Sequence, residues 1–456
     1  MNLLFLTADD LDYSLIGFIK GDEDNITPNL GRLAARSHRF VNNRTVAPIC
    51  MPSREAMMSG LMPHRSGAIG FVPINEGVPT LVTRLQEAGY FTAAIHKIDH
   101  MRPASCFPWA YEQNGKDRHT GVYADGVRVA ITEAKAQNKP FFVNCNLNDP
   151  HRPFYGSPQA AEMDHGNEGA YGIDKEIEPE EVTVPPFLDD LPDIRKELAQ
   201  YWNSVQRMDK TLGKVLAALE ESGEADNTIV LFCADHGMPF PFAKATCYDH
   251  GTRVPAFLSF PGMGEPRSFN AMTANIDILP TLLELLQVEA PGELDGQSWG
   301  PLIEGRSEEI RDFLFTTLDH VSSGMNYPAR AIQDHEFSLI FMAWSDSKLA
   351  MKLESMWGLT FEAMSKAAET DPVIAARVDQ YVYGVPLAFY DLQKDPGQRR
   401  NVIDEPAYGE AVEKMKMRLL DELERTGDPQ FENYRSILAG GHTEVKQDPK
   451  KYRIRE

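Results

Sequence analysis

Four of the five apolar runs in the first 300 positions end in a cluster of polar or charged residues, and no other feature restricts the fold as much. The runs predict strands over 3–7, 91–95, 141–146, 228–233 and 255–260. Helical periodicity over 29–36, 80–88, 122–136, 194–221 and 276–286 separates them. Continuous apolar strands alternating with helices predict an α/β fold with a mainly parallel sheet covered on both faces. Ligands of such sheets bind beyond the carboxyl ends of the strands. Those ends carry Asp9 and Asp10, Lys97 and His100, Asp149 and His151, and Asp235 and His236. Four groups of chemically capable side chains are thus expected at one rim.

Beyond the third strand, residues 152–192 are acidic and rich in Pro and Gly, which predicts a long loop insertion able to act as a lid. The pattern changes after about residue 305. Strand-like pieces at Ala331, 337–344 and 387–390 show no crossover helices between them, and a helix is expected over 408–426. The chain is therefore divided into a main domain, 1–305, expected to carry the site at that rim, and a smaller α+β subdomain, 306–456, with an antiparallel sheet, expected to add to the pocket.

A net charge of −22 over 456 residues excludes a nucleic-acid surface. An anionic substrate then needs a local basic pocket in an acidic body, which suits a small ligand. No run of 18 apolar residues exists, so no membrane span is expected. The first residues lack a charged n-region and cleavage site, so the chain as numbered is expected in the cytoplasm. Removal of an earlier leader would make it periplasmic or secreted. Five cysteines without paired spacing favour a reducing compartment.

One of those cysteines opens Cys50-Met51-Pro52-Ser53-Arg54. Pro52 suits a first helical turn, and Gly60 is placed to end a helix over 52–59. Cys50 then precedes the helix, where free N–H groups favour an oxyanion, and Arg54 lies one turn along. A buried apolar thiol is the bland alternative. A thiolate with arginine six positions on fails because residue 56 is alanine, and the cysteines contain no close pair for zinc. Asp9 and Asp10, adjacent at a strand end, repel one another unless a cation sits between them, the alternative being a helix cap beside a solvated charge.

The pattern Cys50-x-Pro52-Ser53-Arg54 resembles the signature of the type I sulfatases of the alkaline phosphatase superfamily, and the resemblance extends over nearly the whole chain. It implies a large mixed, mainly parallel sheet sandwiched by helices. It also implies oxidation of Cys50 to formylglycine by a maturation enzyme. By the same resemblance Asp9, Asp10, Asp235, His236 and residue 50 would hold one divalent metal. Oxygen ligands favour calcium, or else magnesium. The commonest family pattern has asparagine where this chain has His236, and imidazole brings manganese and zinc into consideration. Lys97 and His100 look like the family's lysine and histidine after the second strand, one residue further apart than usual. His151 is similar to the histidine at the leaving group, and Lys244 matches a second sulfate-binding cation. The implied roles are Arg54, Lys97 and Lys244 on the sulfate oxygens, His151 as general acid and His100 as base.

Within the family the segment Asp235–Lys244 and the run Tyr327-Pro328-Ala329-Arg330-Ala331-Ile332-Gln333 most resemble the heparan N-sulfatase (sulfamidase) branch, which has arginine at the position of Lys244. The expected substrate is a sulfate ester or N-sulfate on a small saccharide. Asp149, Arg152, His320 and Arg330 would contact the sugar by this analogy, and His250 borders the pocket. Two other readings stand beside it: a phosphonate monoester or phosphodiester hydrolase, whose members often carry the Asp-His pair, and a non-catalytic sulfated-glycan binder. His38, His64, His119, His165, His335 and His442 show no constellation.

Overall fold

The computed structural model describes residues 1–16, 26–115, 118–163, 172–345 and 349–452. The larger sheet contains, in chain order, β1 (Asn2–Ala8), β2 (His38–Phe40), β3 (Phe91–Ile95), β4 (Tyr111–Gln113), β5 (Phe141–Leu147), β6 (Thr228–Ala234), β7 (Ala256–Ser259) and β8 (Ser268–Phe269). Its spatial order is β4-β3-β5-β1-β6-β7-β2-β8. Every pairing is parallel except those of β7 with β6 and with β2. The strand expected over 255–260 therefore exists but runs against its neighbours, which makes the sheet mixed.

Apolar runs without alternation signify burial on both faces, and the side chains bear this out. Leu4 and Leu6 of β1, Val143 and Cys145 of β5, and Val230 and Phe232 of β6 join one core with helices Val122–Ala136 and Pro192–Glu221. The intervening Leu3, Phe5, Phe142, Ile229 and Leu231 join a second core on the opposite face with helix Ile278–Leu285. β2, β4 and β8 have no counterpart in the sequence reading. Each is two or three residues long, too short for periodicity, and forms only because a longer neighbour supplies hydrogen-bond partners.

A smaller antiparallel sheet follows, ordered β9 (Leu314–His320), β10 (Asn326–Gln333), β11 (Phe337–Met342) and β12 (Leu387–Asp391). Helix Gly409–Thr426 packs Val412, Met415, Leu419 and Leu423 against Ile332, Leu339 and Phe341. Two helices, Leu359–Ala367 and Pro372–Tyr383, do intervene between β11 and β12, contrary to the sequence reading. The insertion at 152–192 carries a helix at Pro158–Met163, and residues 164–171, including His165, lie outside the described residues. No helix among the described residues is long and apolar enough to cross a membrane.

Candidate active site

Strand register builds the site. Ala8 of β1 lies opposite Leu147 of β5 and Ala234 of β6, so the next residues, Asp9 and Asp235, leave the sheet side by side. The Asp10 N–H donates to Asp235 Oδ1 at 3.1 Å, as does that of His236 at 2.9 Å. Gly237 follows where a Cβ would stand 1.8 Å from the His250 carbonyl oxygen, so only glycine allows this approach. The helix bearing the cysteine motif spans Cys50–Ser59, with Ile49 as N-cap and Gly60 in the left-handed region at φ 66°. Cys50 thus stands inside the first turn and not ahead of it, a correction of two residues to the expected start. The Ser53 hydroxyl donates to the Asp235 carbonyl oxygen at 2.6 Å, which pins this helix to the end of β6.

One donor atom from each of Asp9, Cys50, Asp235 and His236 lies within 4.8 Å of the others, and all four residues are buried. His236 Nε2 stands 3.2 Å from Cys50 Sγ and 3.3 Å from Asp10 Oδ1. Its Nδ1 is 3.0 Å from the Gly237 carbonyl oxygen, to which it must donate. The Nε2 lone pair is therefore turned toward the carboxylates, the tautomer that a metal ligand needs. Asp9 Oδ1 is buried without a hydrogen bond. Burial pushes Asp10 up to about 7, and burial with the neighbouring Asp9 does the same to Asp235. Burial would raise Asp9 as well, but Lys97, His151 and Arg54 hold it well below the usual carboxylate range. Carboxylates packed this closely, with an imidazole lone pair among them, fit a hard or borderline divalent cation.

Arg54 occupies a different place from the one its motif suggested. Its Nη2 lies 2.9 Å from Asp235 Oδ2 and 3.8 Å from Asp9 Oδ1, and Nη1 donates to Thr7 Oγ1 and Asn146 Oδ1 at 2.8 and 2.7 Å. It is buried behind the carboxylates and orients them, and it does not line the cleft. Thr7 and Asn146 were missed in the sequence. The only trace was polar residues inside the otherwise apolar strands of β1 and β5.

A cleft of about 260 Å³ opens over Cys50 and is lined on the catalytic side by Lys97, His100, His151 and Lys244. Lys97 pairs with Asp9, and Lys244 Nζ lies 3.0 Å from Asp10. His151 Nδ1 is 2.6 Å from the Arg152 carbonyl oxygen and must donate to it, which leaves Nε2 facing the cleft. Burial and Lys244 pull His151 down to about 3, and burial with Lys97 pulls His100 well below its ordinary value. Both imidazoles are neutral at neutral pH in the free protein.

The opposite wall comes from the C-terminal part, including Ser322, Ser323, Glu354 and Trp357. Glu354 had no signal in the sequence, yet its Oε2 lies 3.1 Å from Lys244 Nζ and its Oε1 3.7 Å from His151 Nε2. Burial opposes its ionisation, but Lys244 and His151 hold its carboxyl at about 2 against an ordinary 4.5. A depressed folded-state pKa contributes stability above the unfolded value and loses it as pH falls through the folded one. Glu354→Gln is accordingly expected to melt below the parent at pH 7, with the gap closing between about pH 4.5 and 2. Thermal melts across that range check it; a gap independent of pH would show that this ion pair adds nothing.

Four of the five residues expected at the sugar are placed elsewhere, and the fifth, Arg152, lines grooves that adjoin the cleft. Asp149 is buried between Arg118 and Arg207, and Arg207 Nε is 2.7 Å away. Arg330 is buried against Asp428 and Asp319 at 2.7 and 3.2 Å. His320 stacks on Tyr452, and the His250 ring lies tilted against Phe187 with centroids 4.2 Å apart. Arg152 pairs with Glu197 at 2.7 Å and lines a neighbouring groove. None of the five lines the cleft over Cys50. Polar residues near a strand end are indistinguishable along the chain, whether they face the cleft or an internal ion pair.

Fold and site together define a class, the alkaline phosphatase-like hydrolases, with reactive groups gathered at the carboxyl rim of a mixed sheet. Within it, the chain belongs to the sulfatase family, whose model matches residues 1–288. It is a sulfuric ester hydrolase. A second model, "N-sulphoglucosamine sulphohydrolase, C-terminal", matches residues 235–352. The chain is 27% identical to the human N-sulphoglucosamine sulphohydrolase over 94% of its own length and 91% of that protein's. Among solved structures, one in complex with its substrate D-glucosamine-2-N,6-O-disulfate superimposes with a TM-score of 0.66 at 18% identity, covering 95% of this chain and 98% of that one. The phosphonate monoester hydrolase of Agrobacterium radiobacter superimposes with a TM-score of 0.68 at 17% identity, covering 92% and 95%.

Proposed function

We propose that this sulfatase removes sulfate from a small sulfated amino sugar, as an ester or an N-sulfate, with residue 50 acting as formylglycine. The observation that carries the reading is the convergence of Cys50 Sγ with Asp9, Asp235 and His236 under a cleft walled by Lys97, Lys244 and His151. The similarity to the N-sulphoglucosamine sulphohydrolase over almost the entire chain supports the amino sugar. Asp9, Asp10, Asp235 and His236 would hold the divalent ion, calcium by their oxygen-rich set. When bound, such an ion supplies Lewis-acid polarisation of a sulfate oxygen and favours ionisation of the nucleophile.

The chain's own groups do the rest. Lys97 and Lys244 face the cleft and draw the sulfate over residue 50, offsetting the negative charge that spreads over its oxygens. Arg54 fixes the carboxylates from behind. His151, with Nδ1 committed to a backbone carbonyl, presents Nε2 to the leaving oxygen or nitrogen. Neutral in the free protein, it would first take a proton from solvent at Nε2 when the anionic sulfate group enters the cleft, and then deliver that proton to the leaving atom. His100, which lines the same cleft, would take the proton from residue 50. Cys50 is only 3% exposed, so a maturation enzyme would have to act on the chain before it folds.

Intact mass tests the modification directly. Conversion of the thiol to an aldehyde removes about 18 Da, and that deficit is expected at the peptide containing residue 50 after expression in the native host. An unconverted thiol in fully active protein would defeat this reading. Competing turnover of sulfated glucosamine and a phosphonate monoester tests the second reading, which the fold shared with the phosphonate hydrolase and the Asp235-His236 pair favour. A preference for the phosphonate would establish it.

A further inference from the structure

The short 3-10 turn Glu354–Trp357 puts two unlike side chains at the cleft over Cys50. Glu354 reaches inward to Lys244 and His151. Trp357 stands at the mouth and is 80% exposed, the highest value among the large apolar side chains described. A single exposed apolar residue is ordinary on a protein surface. This one also lines the reactive cleft and a contiguous groove of about 460 Å³ that runs past Arg152 and Lys196.

The turn is held in place. Gly358 follows it where a Cβ would lie 2.2 Å from Glu197 Oε1, so the backbone packs directly on that carboxylate. Glu197 accepts the N–H groups of Leu359 and Thr360 at 3.1 and 2.8 Å and pairs with Arg152. These contacts tie the start of helix Leu359–Ala367 to the catalytic sheet's own helix Pro192–Glu221. The indole is therefore presented from a fixed base, which reduces the ordering cost of anything that binds it.

We propose that Trp357 is the stacking platform for the pyranose ring of the substrate, and that Glu354 selects an amino or neutral sugar against a uronate. The inference rests on the saccharide sulfatase reading and names the residues that recognise the sugar. A pyranose presents C–H groups on one face, and these pack on the electron-rich face of an indole. Indole area otherwise left in water is covered at the same time. The Glu354 carboxylate accepts from hydroxyl or ammonium donors but repels a second carboxylate, so it acts by exclusion as well as attraction.

Steady-state kinetics on Trp357→Ala with 6- and N-sulfated glucosamine test the platform. KM is expected to rise about tenfold, equivalent to about 1.4 kcal/mol, with kcat within about twofold of the parent. Trp357→Phe should recover most of the loss, and inhibition by inorganic sulfate should not change. The sugar-induced change in tryptophan fluorescence of the parent should be absent in Trp357→Ala. Glu354→Gln should raise the kcat/KM ratio of a 2-sulfated uronate over sulfated glucosamine about tenfold. An unchanged KM in an active Trp357→Ala protein, or an equal weakening of inorganic sulfate, overturns the platform and leaves the sulfatase reading standing. An unmoved ratio in Glu354→Gln overturns the selection. If the parent protein releases sulfate from none of these sugars, the saccharide reading falls, and this inference with it.

Discussion

Cys50→Ser is expected to free about one equivalent of desulfated sugar per protein molecule, keep the sulfate on residue 50 and then stop, with steady turnover reduced at least about a thousandfold. A serine at this position offers one hydroxyl where an aldehyde hydrate offers two. The single hydroxyl can attack sulfur while Lys97 and Lys244 hold the oxygens, but once sulfated it has no neighbour on the same carbon to expel the group. Water would have to attack a sulfate ester enclosed at the base of the cleft, where residue 50 is almost entirely buried. The exchange of sulfur for oxygen is nearly isosteric, so the fold should survive, and a melting curve close to the parent's confirms that. Quantifying desulfated sugar and, by ion chromatography, free sulfate over time, with intact mass showing a serine at residue 50 that carries one sulfo group, makes the measurement. Sustained release by that unmodified variant would remove the covalent step from the mechanism.

Asp235→Asn is expected to lose activity about a thousandfold, to bind divalent metal below stoichiometry, and to melt several degrees lower. The substitution retains Oδ1, which accepts the N–H groups of Asp10 and His236, so the local backbone stays supported. It replaces Oδ2, the atom 2.9 Å from Arg54 Nη2, with an amide that meets a buried guanidinium donor to donor. Removing one partner of a buried ion pair costs about 3–5 kcal/mol because the other charge remains enclosed. The same atom belongs to the cluster suited to a cation, so metal content and stability should fall together. Elemental analysis of the purified protein beside its thermal melt distinguishes this from a purely structural defect. Full metal occupancy with activity within tenfold of the parent would dissociate Asp235 from the centre.

Much of this was legible along the chain where a single segment decides it. The apolar runs of β1, β3, β5 and β6 appear within one residue of their expected ends, because burial on both faces leaves an uninterrupted signature. The helix Val122–Ala136 lies where its period put it. Asp9, Asp10, Asp235 and His236 were readable as residue types at strand ends, since the rule that places ligands there depends only on strand direction, and Cys50 was readable from its own pentapeptide motif. Edge strands such as β4 and β8 were not, because pairing with a neighbour far away in the chain creates them.

The same division runs through the site. Chemical capacity at the rim, a nucleophile-sized side chain, carboxylates, imidazoles and lysines, was determined by the sequence alone, for it resides in the side chains themselves. Which of them turn toward the cleft was decided only by the tertiary structure. Arg54 proved to be an orienting group behind the carboxylates, Asp149 and Arg330 entered internal ion pairs, and Glu354 with Trp357 arrived from 300 positions beyond Cys50. The reason is physical: local periodicity depends on neighbours three or four residues apart, whereas a side chain's direction and partners depend on register and packing between segments that no short window of sequence contains.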